Sequence, residues 1–209
     1  MSFKSATNRE GPERRDHMTD ELSLLIDAAR QSPLLAPILE NWALVDLPHC
    51  WLVAGALAQT LWNRMFGFEA GHGIADIDIV YFDPDDLSER GEARHAARIR
   101  EAFAGIPAWI DVKNEARVHL WYASRFGYEI APYQSVSDAI ATFPTTATTV
   151  ALRPADGGGF EHEAPFGLGD LVSGIVRPNK TQVSRTVYEH KSERWQALWP
   201  ELKVMDWDA

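Results

Sequence analysis

The sequence predicts an α+β fold built on a small mixed or antiparallel sheet with helices flanking it. Three observations carry that reading. Helical apolar stripes open and close the chain, from Asp20 and from Ser184. Residues 75–83, ADIDIVYFD, alternate with period 2, placing Ile77, Ile79 and Tyr81 on one strand face. The β-branched run TTATTVALR turns at Asp156-Gly157-Gly158-Gly159 into FEHEA, the pattern of a hairpin. The order of helices, strand, helix, strands, helix, hairpin and helices belongs to a mixed class rather than to a repeating βα unit.

The elements follow in chain order. Residues 1–18 combine Ser, Asn, Gly, Pro and charge with almost no apolar periodicity, and read as a flexible solvated tail. Residues 19–209 read as one domain. Leu22, Leu24, Leu25, Ile26 and Ala29 give the first helical stripe, which stops before Pro33. A second helix is expected from Pro33 through Trp42, with the proline in its first turn. WLVAGALAQTLWNRMF, residues 51–66, is the most apolar helix candidate, closed by Gly67 in a left-handed cap. Residues 68–75 form a loop holding His72, which has no partner at metal-ligand spacing. After the strand at 75–83, residues 85–103 give a charged amphipathic helix. WIDVKNEARVHLWY, residues 109–122, is expected as one long strand or a strand pair. Ser135 and Asp138 form a capping box for a short helix. Residues 167–176 suggest a short helix, and Ser184–Trp199 a last one.

Composition sets the boundaries of function. The 209 residues are 45% hydrophobic and 24% charged, an ordinary globular balance. The longest apolar run, Cys50–Ala58, is far short of the ~20 residues a membrane helix needs. No secretory leader is visible, and Cys50 is the only cysteine, so a cytoplasmic protein without internal disulfides is expected. The 20 basic and 30 acidic residues leave a net charge of −10, which argues against long nucleic acid as a partner. A phosphorylated substrate held by a few local cations remains compatible, as does a metal ion between two anions.

Asp76-Ile77-Asp78 departs from that background. Residues i and i+2 of a strand share a face, so the two carboxylates project together and repel. Asp is also a poor strand former; a solvent-facing strand end with two harmless acids is the structural alternative. A cation removes the repulsion, and Mg²⁺ suits two carboxylates joined by phosphate oxygens and water. Asp111, in WIDVK, sits on the polar phase of a second strand. If the strands are neighbours, three carboxylates converge as phosphoryl transfer on metal ions requires. Upstream, Gly55 allows a phosphate to approach backbone N–H groups at the start of an apolar helix; a close helix packing contact is the structural alternative.

These residues resemble the polymerase-β-like nucleotidyltransferase superfamily. Within it, the chain is similar to a bacterial nucleotidyltransferase-like family of uncharacterised role. The resembling stretches are AGALAQTLWN (54–63), GIADIDIVYFDPDDLS (73–88), WIDVKNEARVHLWY (109–122), FPTTATTVALR (143–153) and APFGLGDLVSGIVRPNK (164–180). Tyr188, Lys191, Arg194, Trp195 and Trp199-Pro200 complete the set. The resemblance implies Asp76, Asp78 and Asp111 as catalytic metal ligands, Mg²⁺ or alternatively Mn²⁺ as the ion, and Gly55 as the phosphate-side glycine. Ala56 stands where the superfamily usually has serine or glycine; it keeps the N–H but offers no hydroxyl.

The expected activity is transfer of a nucleoside monophosphate from a nucleoside triphosphate to a hydroxyl of a small molecule or protein. Gly55, Ala56, Lys113, Arg177, Lys180, Lys191 and Arg194 are the candidate nucleotide contacts. Lys113 can equally be an exposed edge lysine, and Arg177-Pro178-Asn179-Lys180 a basic helix end. Asn114 and Arg117 can belong to a turn, and His119 to the core. Tyr188 and Trp195 can stack a base or fill the core. The alternative functions are a nucleotide or metabolite sensor without turnover, or an interaction protein retaining only the fold.

Overall fold

The computed structural model describes the backbone of residues 12–209, with side chains from Asp20 onward. The tail expected over residues 1–18 therefore lies outside the described residues as far as residue 11. The first helix, α1 (Pro12–Gln31), begins before the expected Asp20. It is followed by α2 (Ala36–Glu40) and a 3-10 turn at Trp42–Leu44.

The apolar stretch at 51–66 is two elements. Trp51–Val53 is strand β1, buried along its whole length. Gly55–Phe66 is helix α3, closed by Gly67 in the left-handed region at φ 74°. A three-residue strand buried on both faces shows no alternation, so it merges with the helix that follows. Strand β2 (Asp76–Tyr81) and helix α4 (Glu89–Ala102) form as the sequence predicts, and the Ser88 side chain caps α4 by accepting from Gly91 N–H at 3.0 Å.

Strand β3 covers only Trp109–Asn114. The chain then makes a 3-10 turn at Glu115–Arg117 and helix α5 (His119–Phe126), where a strand was expected through Tyr122. Asn114 ends the strand. Its side-chain oxygen accepts from Ala116 N–H and Asp83 N–H, and its amide donates to the Asp83 and Asp86 carbonyls.

Helix α6 (Val136–Ile140) starts at the predicted box: Ser135 Oγ accepts from Asp138 N–H, and Asp138 accepts from Gln134 N–H. The threonine run is not a strand in its first half. Thr145, Thr148 and Thr149 turn their hydroxyls onto nearby groups, including the Thr145 carbonyl, and Thr146–Thr148 closes as a 3-10 turn. The strand is β4 (Ala151–Pro154), paired with β5 (Phe160–Glu163) in the expected hairpin. Helix α7 (Gly169–Val172) and strand β6 (Ile175–Val176) replace the single helix expected over 167–176. Helix α8 (Arg185–Leu198) is capped by Ser184, and β7 (Lys203–Val204) pairs with β6.

The main sheet has five strands in the order β3-β2-β1-β4-β5. β2 and β3 are parallel; the other pairings are antiparallel. One face is sealed. Leu52, Ile77, Ile79, Tyr81, Ile110 and Val112 pack with Leu57, Leu61, Ile99 and the Trp62–Trp195–Trp199 group. The other face carries a smaller apolar patch, Trp51, Val53, Val80 and Ala151, covered by Val136 and Ile140 of α6. The predicted carboxylates stand on this second face.

Candidate active site

The register of the sheet builds the site. β1 runs antiparallel beside β2, and Val53 pairs with Asp78. β3 runs parallel on the other side, and Asp111 pairs with Asp78. Paired residues share a face, so Asp111 and Asp78 are side by side, with Asp76 two residues back on the same face. The adjacency on which the three-carboxylate reading depended is present.

β1 ends where the carboxylates begin. The chain turns at Ala54 and enters α3 at Gly55, in a position fixed by Val53 beside Asp78. Ala54 holds φ 58° and ψ −126°, a conformation disfavoured for a side chain bearing Cβ. Such strain costs about 1–3 kcal/mol and gathers at functional turns. No side chain caps the first N–H groups of α3. At Gly55 a Cβ would lie 3.3 Å from Gln59 Nε2, so the glycine keeps this corner open. Ala56 is buried in the sealed core; its N–H, not its methyl, is what this turn can present.

The loop before Asp76 is clamped rather than loose. His72 stacks on Phe68 at 4.3 Å and bonds the Leu198 carbonyl through Nε2 at 2.8 Å. Asn63 donates to the Ala70 and His72 carbonyls and accepts from Trp199 Nε1. Gly73, at φ 69°, lies so close to Trp199 that a Cβ would overlap its ring at 2.4 Å. The long interval between Gly55 and Asp76 is thus a helix and a tied loop that deliver Asp76 to the site.

The electrostatics follow from crowding. Burial pushes the Asp78 carboxyl up to about 7, and the neighbouring Asp76 and Asp111 push it further in the same direction. Asp111 has Lys113 Nζ at 3.4 Å and Arg100 at 3.7 Å. Across from β2, α8 brings Lys191 within electrostatic reach of Asp78 and Asp76. Burial pulls the Lys191 ammonium down; Asp78 and Asp76 oppose that pull, while Arg194 and Arg125 add to it. Arg194 and Arg125 lie near enough to Lys191 for their charges to bear on it.

The predicted residues divide accordingly. Asp76, Asp78, Asp111, Gly55, Ala56 and Lys113 come together through the sheet register, and Lys191 on α8 is within electrostatic reach of Asp76 and Asp78; Arg194 is exposed and bears on Lys191 rather than on the carboxylates. Arg177 and Lys180 have other partners: Arg177 pairs with Asp170 at 3.0 Å, and Lys180 lies 5.6 Å from the Trp207 ring. Tyr188 and Trp195 are core residues, 1% and 2% exposed. Arg117 forms a buried ion pair with Glu92 at 2.7 Å, bracing the turn after β3. Three neighbours of the site lay outside the predicted set: Arg100 on α4, which pairs with Asp111, Arg125 on α5, and Glu115, which is buried directly after β3. Strand alternation extended two residues beyond Lys113 is the signal that points to Glu115.

Hard carboxylate oxygens on one face are ligands suited to a divalent cation. Among the described residues, no group of three His, Cys, Asp or Glu side chains is arranged to enclose an ion by itself. An ion here would complete its shell with phosphate oxygens and water.

A five-stranded mixed sheet with flanking helices and a carboxylate row beside an open helix N-terminus defines a nucleotidyltransferase head. A nucleotidyltransferase family model matches residues 40–204, and the chain belongs to that family. It is also similar to a protein whose NMR structure reveals a CCA-adding enzyme head domain. That protein is 27% identical, with a TM-score of 0.71 over 87% of this chain and 94% of that one. The CCA-adding enzyme of Thermotoga maritima complexed with tRNA shares the fold at 15% identity and a TM-score of 0.52, over 88% of this chain and 42% of its own. No curated protein matches. Among the described residues, no helix is long and apolar enough to cross a membrane.

Proposed function

We propose that the protein is a Mg²⁺-dependent nucleotidyltransferase that moves a nucleoside monophosphate from a nucleoside triphosphate to an acceptor hydroxyl. The observation that carries the proposal is the pairing of Asp111 with Asp78 on the face that also holds Asp76. Asp76 and Asp78 would hold Mg²⁺, with Asp111 beside them. Their oxygens are the donor set this ion prefers, and their mutual repulsion is relieved by positive charge. When bound, the ion supplies neutralisation of charge on the transferred and leaving phosphates.

The residues of the chain supply the rest. The α3 N–H groups at Gly55 and Ala56 meet phosphate oxygens, and Lys191, Arg194 and Arg125 balance the triphosphate's charge. Asp111 orients the acceptor hydroxyl and takes its proton. The hydroxyl oxygen bonds to the α-phosphorus; the bond from that phosphorus to the bridging oxygen breaks, and pyrophosphate leaves with the electron pair. The net charge of −10 favours a small molecule or protein as acceptor over long nucleic acid.

The test is titration of Mg²⁺ and non-hydrolysable nucleoside triphosphates into wild type, D76N and D78N, followed by pyrophosphate detection across an acceptor panel. Binding that needs both the ion and the aspartates, with release of pyrophosphate, is the expected result. Equal pyrophosphate release by wild type and D78N would overturn the proposal. A second reading, a nucleotide sensor without turnover, is favoured by Ala56, which offers no hydroxyl to the terminal phosphates. Tight Mg²⁺–nucleotide binding without pyrophosphate release across the panel would select it.

A further inference from the structure

Glu115 is the group the mechanism above leaves unused. It opens the 3-10 turn that follows β3, two residues beyond Lys113 and four beyond Asp111. The residue is 7% exposed. The charges that reach it are Asp78 and Glu92, which repel it, and Lys113, which attracts it. Among the described residues no hydrogen bond reaches its carboxyl. The contrast with Glu92 is direct. Glu92 is buried as well, yet Oε1 accepts from Arg117 at 2.7 Å and Oε2 from Asn114 N–H at 2.8 Å. Unlike Gln59 Oε1 and Thr60 Oγ1, which are enclosed without a partner, the Glu115 carboxyl oxygens are not fully sealed from solvent, and a largely buried carboxyl with no protein partner calls for a specific reason.

The placement of Glu115 supplies one. The triphosphate end of a nucleotide belongs at the start of α3 and beneath Lys191, so the nucleoside leaves the carboxylates along the open face. Glu115 stands at the end of β3, within electrostatic reach of both Asp78 and Lys113. Tyr133, whose ionisation is also opposed by the charge of Glu115, is near it. The Tyr133 hydroxyl is fixed by Thr142 Oγ1 at 2.9 Å and Gln182 Nε2 at 2.7 Å, which makes it a wall rather than a partner for the carboxyl.

We propose that Glu115 is a specificity residue that accepts a hydrogen bond from the nucleoside of the bound triphosphate. The donor is a ribose hydroxyl or an exocyclic amino group of the base; both present an N–H or O–H to a waiting carboxyl oxygen. A site built to pair a donor rejects the analogue that lacks it, because the buried acceptor is then left without a partner. This inference rests on the nucleotide-binding reading of the site.

The experiment is calorimetric titration, in the presence of Mg²⁺, of wild type, E115M and E115Q. The probes are ATP, CTP, GTP and UTP; 2′-deoxyATP and 3′-deoxyATP, which remove ribose donors; inosine triphosphate, which removes the adenine amino group; and inorganic tripolyphosphate, which has no nucleoside. Wild type is expected to bind its preferred nucleotide about 10- to 100-fold more tightly than the analogue lacking the recognised donor. In E115M that ratio falls towards one while tripolyphosphate affinity holds; in E115Q, which retains an acceptor oxygen, part of the ratio returns. Thermal melts establish that both variants are folded. Discrimination unchanged in E115M, or nucleotide binding by wild type without discrimination, overturns the role of Glu115 alone. Failure of folded wild type to bind any nucleotide or tripolyphosphate overturns the nucleotide reading together with it.

Discussion

The two faces of the sheet come from the same strands and serve opposite ends. In β2, Ile77, Ile79 and Tyr81 enter the sealed face, while Asp76 and Asp78 stand on the other. In β3, Ile110 and Val112 are buried on the first side, and Asp111 and Lys113 line the second. One face gathers apolar area, and the buried charge at its edge, Glu92, is paired with Arg117. The other collects like charges that a folded chain gains nothing by bringing together. Charge held in place against repulsion, on the side with less apolar cover, is what marks a working surface. The comparison predicts that truncation of the sealed face lowers stability, whereas neutralisation of the open face removes activity and raises stability.

The largest expected effect is on the sealed side. Ile79 is fully buried among strands and helices, so I79A should cost about 2–5 kcal/mol through lost transfer energy and the cavity left behind. Denaturant unfolding measures this, and a loss under 1 kcal/mol would mean that the face collapses around the gap. D78N is the counterpart. It should reduce pyrophosphate release by ~100-fold or more and raise the melting temperature of the metal-free protein, since burial and two neighbouring acids already disfavour the charged form. A D78N protein that is both less stable and fully active would reverse the assignment of the two faces.

The same repulsion gives a pH signature. Asp78 rises from 3.8 to about 7, and burial, aided by Asp78 and Glu92, lifts Glu115 from 4.5 to about 8. Between the ordinary and raised values, the folded protein binds more protons than the unfolded chain. The slope of unfolding free energy with pH is then negative. These groups favour the folded state fully below their ordinary values and lose that contribution as pH rises through about 7 and then about 8. Thermal melts of metal-free protein should fall across that window. E115Q should flatten the upper part of the fall; an unchanged profile would show that Glu115 stays protonated throughout or shares its proton elsewhere.

Much of this contrast was legible in the residues. Period 2 in ADIDIVYFD assigned both faces of β2, and the lone aspartate in WIDVK supplied the third acid. The parallel pairing that makes them neighbours was not legible, because register across α4 is set by tertiary packing. β1 was hidden because three apolar residues buried on both faces carry no period. The end of β3 was hidden because Asn114 stops it through carbonyls some thirty residues away. The threonines misled because their hydroxyls compete for local backbone groups, a choice β propensity does not register. Arg125 reads in sequence as an ordinary solvated charge on a short helix; only the approach of α8 gives it Lys191 as a neighbour.

A smaller effect tests whether the loop before Asp76 belongs to the site. G73A would force a Cβ into the Trp199 ring and a side chain into a positive φ. The variant should lose more than ~1 kcal/mol of stability, and nucleotide affinity should weaken because the loop delivers Asp76. Loss of stability with affinity intact would separate the clamp from the site and leave Asp76 positioned by its strand alone.

The smallest effect is expected at Arg177, and it sharpens the boundary of the open face. The guanidinium is exposed, and Asp170 occupies it through two contacts, at 3.0 and 3.4 Å. A surface pair of this kind contributes little, because water screens it and both side chains lose freedom to make it. R177A should leave the melting temperature and nucleotide affinity unchanged within error, whereas K191A, which removes a half-buried ammonium facing Asp78, should weaken triphosphate binding ~10-fold or more. If R177A weakened binding as much as K191A, Arg177 would have to leave Asp170 when nucleotide arrives. The phosphate-binding surface would then extend past α8 to the segment after β6, and D170N, by freeing the guanidinium beforehand, should tighten nucleotide binding. If D170N and R177A are both silent, the cations that matter are those that the sheet register and α8 bring to the three aspartates, and the basic residues after β6 serve the fold.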